Sequence, residues 1–363
     1  MQPVEYDNEL TQLTHEQSGS LEDFHRSYEA AAESVKAELG ESHPLLIDGE
    51  RVETGDEFTV EAPGDRGVTV GTFAAGAESE VEDAVAAAND AFPEWEAKSP
   101  EERAEVFTTA ADIMRDRKFE LAATLSLENG KNRGEAMADV DEAIDFLDFY
   151  SREFTRSDGY QFDTGEPTPG QHTTNLLRPY GVFAVVSPFN FPMALLVGMS
   201  TGALLTGNTA VVKPASATPL VAQKYVDILE EAGIPDGVVN LVLGSGSEVG
   251  QPLVEHEDVK GVAFTGSRAV GTGIQETFME LGKRGPVIAE LGGKNPVIVS
   301  DEADMDDAVE GVMKGAFSFS GQKCSATSRV YVDESVIDEF TDRLVAETEE
   351  LTIGRPEDED TFV

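Results

Sequence analysis

Short apolar runs separated by helix-length stretches dominate the chain after Gly181. Val182–Val186, Thr209–Lys213, Val238–Val242 and Gly261–Thr265 each read as a buried strand, since a brief, nearly continuous apolar run suits a strand covered on both faces. Residues 192–206, 217–231 and 247–255 between them carry helix-like patterns. Strands alternating with helices predict an α/β fold, a doubly wound parallel sheet of Rossmann type. Ligands in such sheets sit beyond the carboxyl ends of the strands. Before Gly181 the pattern differs. Residues 17–40 read as one helix with Ser18 or Ser20 as N-cap, and Pro44–Glu50 as a strand entering an Asp48-Gly49 hairpin turn. Ser79 and Glu82 have the spacing of a capping box. They open a helical pattern to Ala97 that Pro93 is expected to break or kink. Helices follow over 99–128 and 134–154, then a turn-rich connection over 159–170 and an alternating strand over 172–179.

Composition narrows the setting. Hydrophobic residues make up 40% of the 363, enough for two domains or one large α/β unit. Acidic residues number 70 against 26 basic ones, a formal net charge of −44. They are spread along the chain rather than gathered in a tail. Self-repulsion of that size strains a protein in dilute buffer, whereas multimolar salt shortens the screening length to about 3 Å or less. A halophilic cytoplasm therefore accounts for the composition, and the charge argues against nucleic acid and anionic membranes as partners. Met1–Asp7 is acidic and polar, unlike a secretory signal. The most apolar run, Met193–Leu205, falls short of the roughly 20 residues that span a bilayer.

Chemistry concentrates in a few places. The one cysteine, Cys324, lies in Phe319-Ser320-Gly321-Gln322-Lys323-Cys324-Ser325-Ala326. A single thiol leaves packing or reactivity, and a polar turn with an adjacent lysine favours the nucleophilic thiolate. Asn190, between two aromatics and two prolines in Ser187–Pro192, can donate to a developing oxyanion or cap the next helix. Lys213, ending a buried strand, can reach ribose or phosphate oxygens or turn out to solvent. Phe264-Thr265-Gly266-Ser267 ends a strand and opens a helix, as an anion site or a plain N-cap does. Glu290, in an apolar segment before Gly292-Gly293, is either a desolvated general base or a partner of Lys283 or Lys294. Gly244–Gly250 nearly spells a dinucleotide fingerprint and reads as a strand-to-helix turn. The five histidines show no metal-ligand spacing.

In this order and spacing, Pro188-Phe189-Asn190-Phe191-Pro192, Val211-Val212-Lys213-Pro214-Ala215-Ser216, Phe264-Thr265-Gly266-Ser267, Glu290-Leu291-Gly292-Gly293-Lys294 and Gly321-Gln322-Lys323-Cys324 resemble the aldehyde dehydrogenase superfamily. The resemblance runs from about Leu45 to Gly354. The Cys324 segment and the long N-terminal arm look most like the branch acting on L-glutamate γ-semialdehyde (1-pyrroline-5-carboxylate) in proline catabolism.

That resemblance implies Cys324 as nucleophile and Glu290 as general base, with Asn190 and the Cys324 backbone N–H as oxyanion hole. Lys213 binds the adenosine ribose, Gly266 and Ser267 lie near the cofactor phosphates, and Ser187, Pro188 and Phe189 line the cofactor side. Phe191, Lys323 and Ser325 face the substrate, a small aldehyde oxidised to a carboxylate through a cysteine thioester. No metal is implied. Ser216 stands where many NAD-preferring members carry glutamate, so NAD is expected and NADP stays open. The implied organisation is an N-terminal helical arm (1–42), an NAD(P)-binding domain (43–287) with an oligomerisation hairpin at about 158–180, and a catalytic domain (288–363). The family continues past the position of Val363, so the catalytic domain is expected to be incomplete and the full-length protein a homo-oligomer. The alternatives are another semialdehyde or aliphatic-aldehyde dehydrogenase, or a catalytically silent nucleotide-binding protein.

Overall fold

The computed structural model describes residues 6–363. Its centre is a seven-stranded sheet. In chain order the strands are β1 (Leu45–Ile47), β2 (Glu50–Val52), β3 (Val182–Val186), β4 (Thr209–Lys213), β5 (Val239–Leu241), β6 (Val259–Gly266) and β7 (Val287–Leu291). Their spatial order is β7-β6-β3-β4-β5-β1-β2. The run from β7 to β5 is parallel, while β1 pairs antiparallel with both β5 and β2. The doubly wound parallel sheet is therefore present, with the hairpin of residues 45–52 as an antiparallel edge. Asp48 (φ 53°) and Gly49 (φ 74°) both lie in the left-handed region, which a two-residue hairpin of matching twist requires. The connection from β3 through β4 to β5 runs to one side and β6 and β7 fill the other. The winding thus reverses between β3 and β6.

One large apolar core embeds the sheet and reaches from Phe24 to Phe278. The helices Arg133–Arg156 and Ala194–Leu205 pack along each other. The Trp95 indole donates to Leu204 O at 2.8 Å, and the Arg103 guanidinium to Leu205 O at 2.9 Å. A second, small core holds Val299, Val309, Val312 and Phe340. It lies between two strands, Asn295–Val299 and Thr327–Val332, and two helices, Met305–Phe317 and Ile337–Glu349. The opposite face of that strand pair leaves the neighbours Ile298 and Tyr331 79% and 56% exposed.

Three local expectations change. Residues 17–40 do not form one helix, because Gly19 (φ 72°) ends a first helix, Thr11–Ser18, in a left-handed turn. There Gly19 N–H donates to Glu16 O and Ser20 N–H to His15 O, a closed C-terminal cap. The second helix runs Leu21–Glu38. Ser79 is not an N-cap, since that helix spans Glu78–Glu96 and the Glu80 carboxylate accepts from Ala77 N–H. Pro93 does not break it. The proline falls in the final turn, where the hydrogen bond it removes is among the last.

The strand Gln161–Gly165 pairs antiparallel with Thr173–Leu176 as a hairpin whose residues are almost all exposed. At the other sheet edge, β7 approaches β6 through Gly285, where a Cβ would stand 1.4 Å from Lys260 O. Gly285→Ala should therefore push β7 off β6 and lower stability by about 3 kcal/mol, read as the urea midpoint against the unaltered chain.

Candidate active site

The carboxyl ends of β3, β4 and β6 gather the residues expected to face a cofactor. Ser187, buried just past β3, donates its N–H to Lys213 O at 3.2 Å and so ties the ends of β3 and β4. Lys213 does not reach solvent. It is buried, its ammonium donates to Pro214 O at 2.8 Å, and burial pushes its pKa down to about 8. Ser216 is exposed and donates its hydroxyl to Gly244 O at 2.8 Å. Gly266 ends β6 where a Cβ would meet the Phe264 ring at 2.6 Å. Ser267 caps the Arg268–Glu280 helix, its Oγ accepting from Val270 N–H at 3.3 Å. This edge straddles the β3/β6 reversal, where open α/β sheets form their ligand crevice.

The thiol stands on a strained turn. After the Met305–Phe317 helix, Phe319 (φ 49°), Ser320 (φ 56°) and Gly321 (φ 71°) are all left-handed. Such a conformation costs about 1–2 kcal/mol for each non-glycine residue and persists only where the surrounding structure enforces it. Gly321 is required twice over, because a Cβ would also lie 2.8 Å from Ala316 O.

Two segments brace the backbone around the exposed Cys324. The Asn190 amide donates to Gln322 O at 2.8 Å, so it does not cap the following helix. The Asn295 amide donates to Cys324 O at 2.7 Å and to Ala326 O at 3.2 Å. A Cβ on Gly293 would stand 3.5 Å from Cys324 O. Ser325 is exposed beside the thiol. Lys323 is not a free cation there, since Glu135 holds it at 2.7 Å. Glu290 departs from the desolvated environment expected of it. It lies on edge strand β7, whose residues alternate between partly covered and exposed, and it faces solvent. Among the described residues it makes no ion pair, and Lys283 instead donates to Val254 O and His256 O.

Sequence reasoning missed the layer beneath. Glu128, buried, accepts from Leu220 and Val221 N–H at 2.6 and 3.0 Å at the start of the Pro219–Glu231 helix. Burial pushes its carboxyl up to about 8 against those two donors. The Asn129 amide donates to Phe189 O at 2.7 Å. Lys131 and Asp139 form a fully buried ion pair at 2.8 Å. Burial pushes the Lys131 ammonium down while Asp139 opposes the shift. A signal existed for Asp139, which occupies the apolar stripe of its helix with Ala136, Val140 and Ala143. Among the described residues no group of three or more His, Cys, Asp or Glu could hold a metal. No described helix is long and apolar enough to cross a membrane.

Residues 51–363 match the aldehyde dehydrogenase family. The chain belongs to that family. Among similar curated proteins, a 1-pyrroline-5-carboxylate dehydrogenase of Geobacillus thermodenitrificans is 44% identical over 345 residues, 93% of this chain and 66% of that protein. The 1-pyrroline-5-carboxylate dehydrogenase 2 of Halalkalibacterium halodurans is 41% identical over 349 residues, 95% of this chain and 67% of that one. This aldehyde dehydrogenase chain thus spans about two thirds of the length of the curated relatives it matches. A solved 1-pyrroline-5-carboxylate dehydrogenase from Thermus with bound NAD superposes with a TM-score of 0.90 at 38% identity, covering 98% of this chain and 69% of that one. Proline utilization A from Bdellovibrio bacteriovorus, inactivated by N-propargylglycine, gives 0.94 at 36% identity, covering 100% and 38%.

Lys213 carries a checkable electrostatic signature. Its folded pKa of about 8 lies below the ordinary 10.5, so the unfolded chain binds more protons between those values. Stability at this site therefore rises with pH across that window. Lys213→Met should stabilise the chain at pH 7 by about 3 kcal/mol. The gain should shrink above pH 8 and vanish beyond 10.5, read from urea midpoints of both forms.

Proposed function

We propose that the chain oxidises an aldehyde to a carboxylate with NAD, through a thioester on Cys324, and that its substrate is L-glutamate γ-semialdehyde. The Asn190–Gln322 hydrogen bond carries this reading, because it sets an amide donor against the loop that presents the thiol. The names of the relatives support the substrate assignment.

The crevice suits a dinucleotide. Lys213 is a buried cation with a backbone carbonyl as its hydrogen-bond partner, which leaves its charge available to ribose oxygens. Gly266 and Ser267 offer a helix start to phosphates, and Ser187, Pro188 and Phe189 line the same edge. Ser216 puts no carboxylate there to repel a 2′-phosphate, so NADP is compatible as well. NAD, when bound, supplies the acceptor for the hydride. Cys324 Sγ adds to the aldehyde carbon, and the alkoxide so formed takes hydrogen bonds from the Asn190 amide and the Cys324 N–H. Loss of hydride from that carbon leaves an acyl thioester on Sγ. Glu290 then takes a proton from water, the water oxygen attacks the thioester, and the carboxylate leaves as the thiol re-forms. Phe191, Lys323 and Ser325 line the substrate side.

We assign residues 43–287 to cofactor binding and 288–363 to catalysis, with 1–42 as an arm. The exposed hairpin within 158–180 serves as an assembly surface, and the net charge of −44 suits a salty cytoplasm.

The test is NADH formation by the chain with NAD and a panel of aldehydes, glutamate γ-semialdehyde being strongly preferred. Cys324→Ala should abolish turnover and leave NAD binding intact, and retained turnover would overturn the mechanism. Glu290→Gln should give a burst of NADH and then little steady-state rate, whereas an unchanged steady state would remove Glu290 from its role.

A further inference from the structure

The Lys131–Asp139 pair lies outside the chemistry just described, yet it touches both loops that build the site. The Lys131 Nζ sits 3.5 Å from the centroid of the Phe191 ring, in the residue after Asn190, and 5.1 Å from that of Phe319, which opens the left-handed turn before Cys324. One oxygen of Asp139 holds that ammonium at 2.8 Å, and the other accepts from Ala194 N–H at 2.7 Å, at the start of the helix after the Asn190 loop. Both side chains are fully buried. A buried ion pair is no better for stability than apolar residues of the same volume, and often worse. A cation over aromatic faces in a desolvated site is directional as well as attractive. An apolar side chain could fill the space but could not hold two rings in fixed orientation.

We propose that Lys131 is a positioning residue: clamped by Asp139, its ammonium fixes Phe191 and Phe319 against each other and so sets the Asn190 amide against the Cys324 loop. Glu142 also interacts with the charge of Lys131, and Glu135 and Lys323 bear on it with opposite effects. Their mutual pairing at 2.7 Å leaves Asp139 as the hydrogen-bonded anion that fixes Lys131. The kinetic part of this inference rests on the aldehyde-oxidation reading, and the structural part does not.

The test uses Lys131→Met with Asp139→Asn, which removes both charges and keeps an acceptor for Ala194 N–H. The urea midpoint should hold. Amide exchange over 318–322 should quicken by about tenfold or more while β3, β4 and β5 stay protected. The kcat for aldehyde oxidation should fall by about a hundredfold with the KM for NAD unchanged, as a displaced catalytic group predicts. Exchange and kcat both equal to those of the unaltered chain would overturn the proposal. Faster exchange in the variant, with no NADH from the unaltered chain, would sustain the clamp and sink the oxidation reading. Should the double variant fail to fold, Phe191→Leu decides instead. It removes one ring and keeps the ion pair, so it should quicken exchange over 318–322, and unchanged exchange would overturn the clamp.

Discussion

The hydrogen bond from the Asn190 amide to Gln322 O joins two parts of the chain that have separate apolar cores. Asn190 hangs from the carboxyl end of β3, one of the most deeply buried strands. Cys324 hangs from a small unit whose core is four residues, and its own backbone is held by Asn295. Geometry at the thiol is therefore inherited from the large sheet across a few polar contacts. Amides, with their directional donors, serve on both sides of that link as well as in it: Asn129 on Phe189 O in the large part, Asn190 on Gln322 O across the junction, Asn295 on Cys324 O in the small part.

The same end of the molecule concentrates features that disfavour folding. Lys213 keeps a charge out of water with no carboxylate to offset it, and Phe319 and Ser320 adopt a backbone that side chains rarely tolerate. Neither would survive as a packing solution, since methionine at one site and glycine at the other would be easier. Local rules give way at functional sites and hold elsewhere, and these exceptions fall in the segments proposed to serve the cofactor and the thiol.

Much of this was legible in the sequence, for physical reasons. Strands buried on both faces must be apolar throughout, so β3, β4 and β6 stood out, and the polar residues ending them stood out by contrast. Local turns were less secure. Gly19 looks like any glycine until its left-handed φ closes one helix and separates it from the next. Pro93 looks like a breaker until its place in the last turn is known. Glu290 sits among apolar neighbours, yet its exposure follows from an edge position that only the sheet order reveals. Lys131 and Asp139 were illegible as a pair. Eight residues apart and spanning a helix start, they match no periodic contact, and their meaning lies in two rings far along the chain.

The separation of those contacts bears on when the thiol takes shape during synthesis. Glu135 meets Lys323 across 188 residues, and Asn190 meets Gln322 across 132. The supports come first in the chain, and the sheet they brace is complete with β7, which ends at Leu291. Cys324 thus emerges from the ribosome onto a scaffold whose strands have already left it. Its loop has no reason to adopt a left-handed turn before it docks. A nascent chain carries an ordinary cysteine, and the shaped one arises only when its loop closes on Glu135 and Asn190.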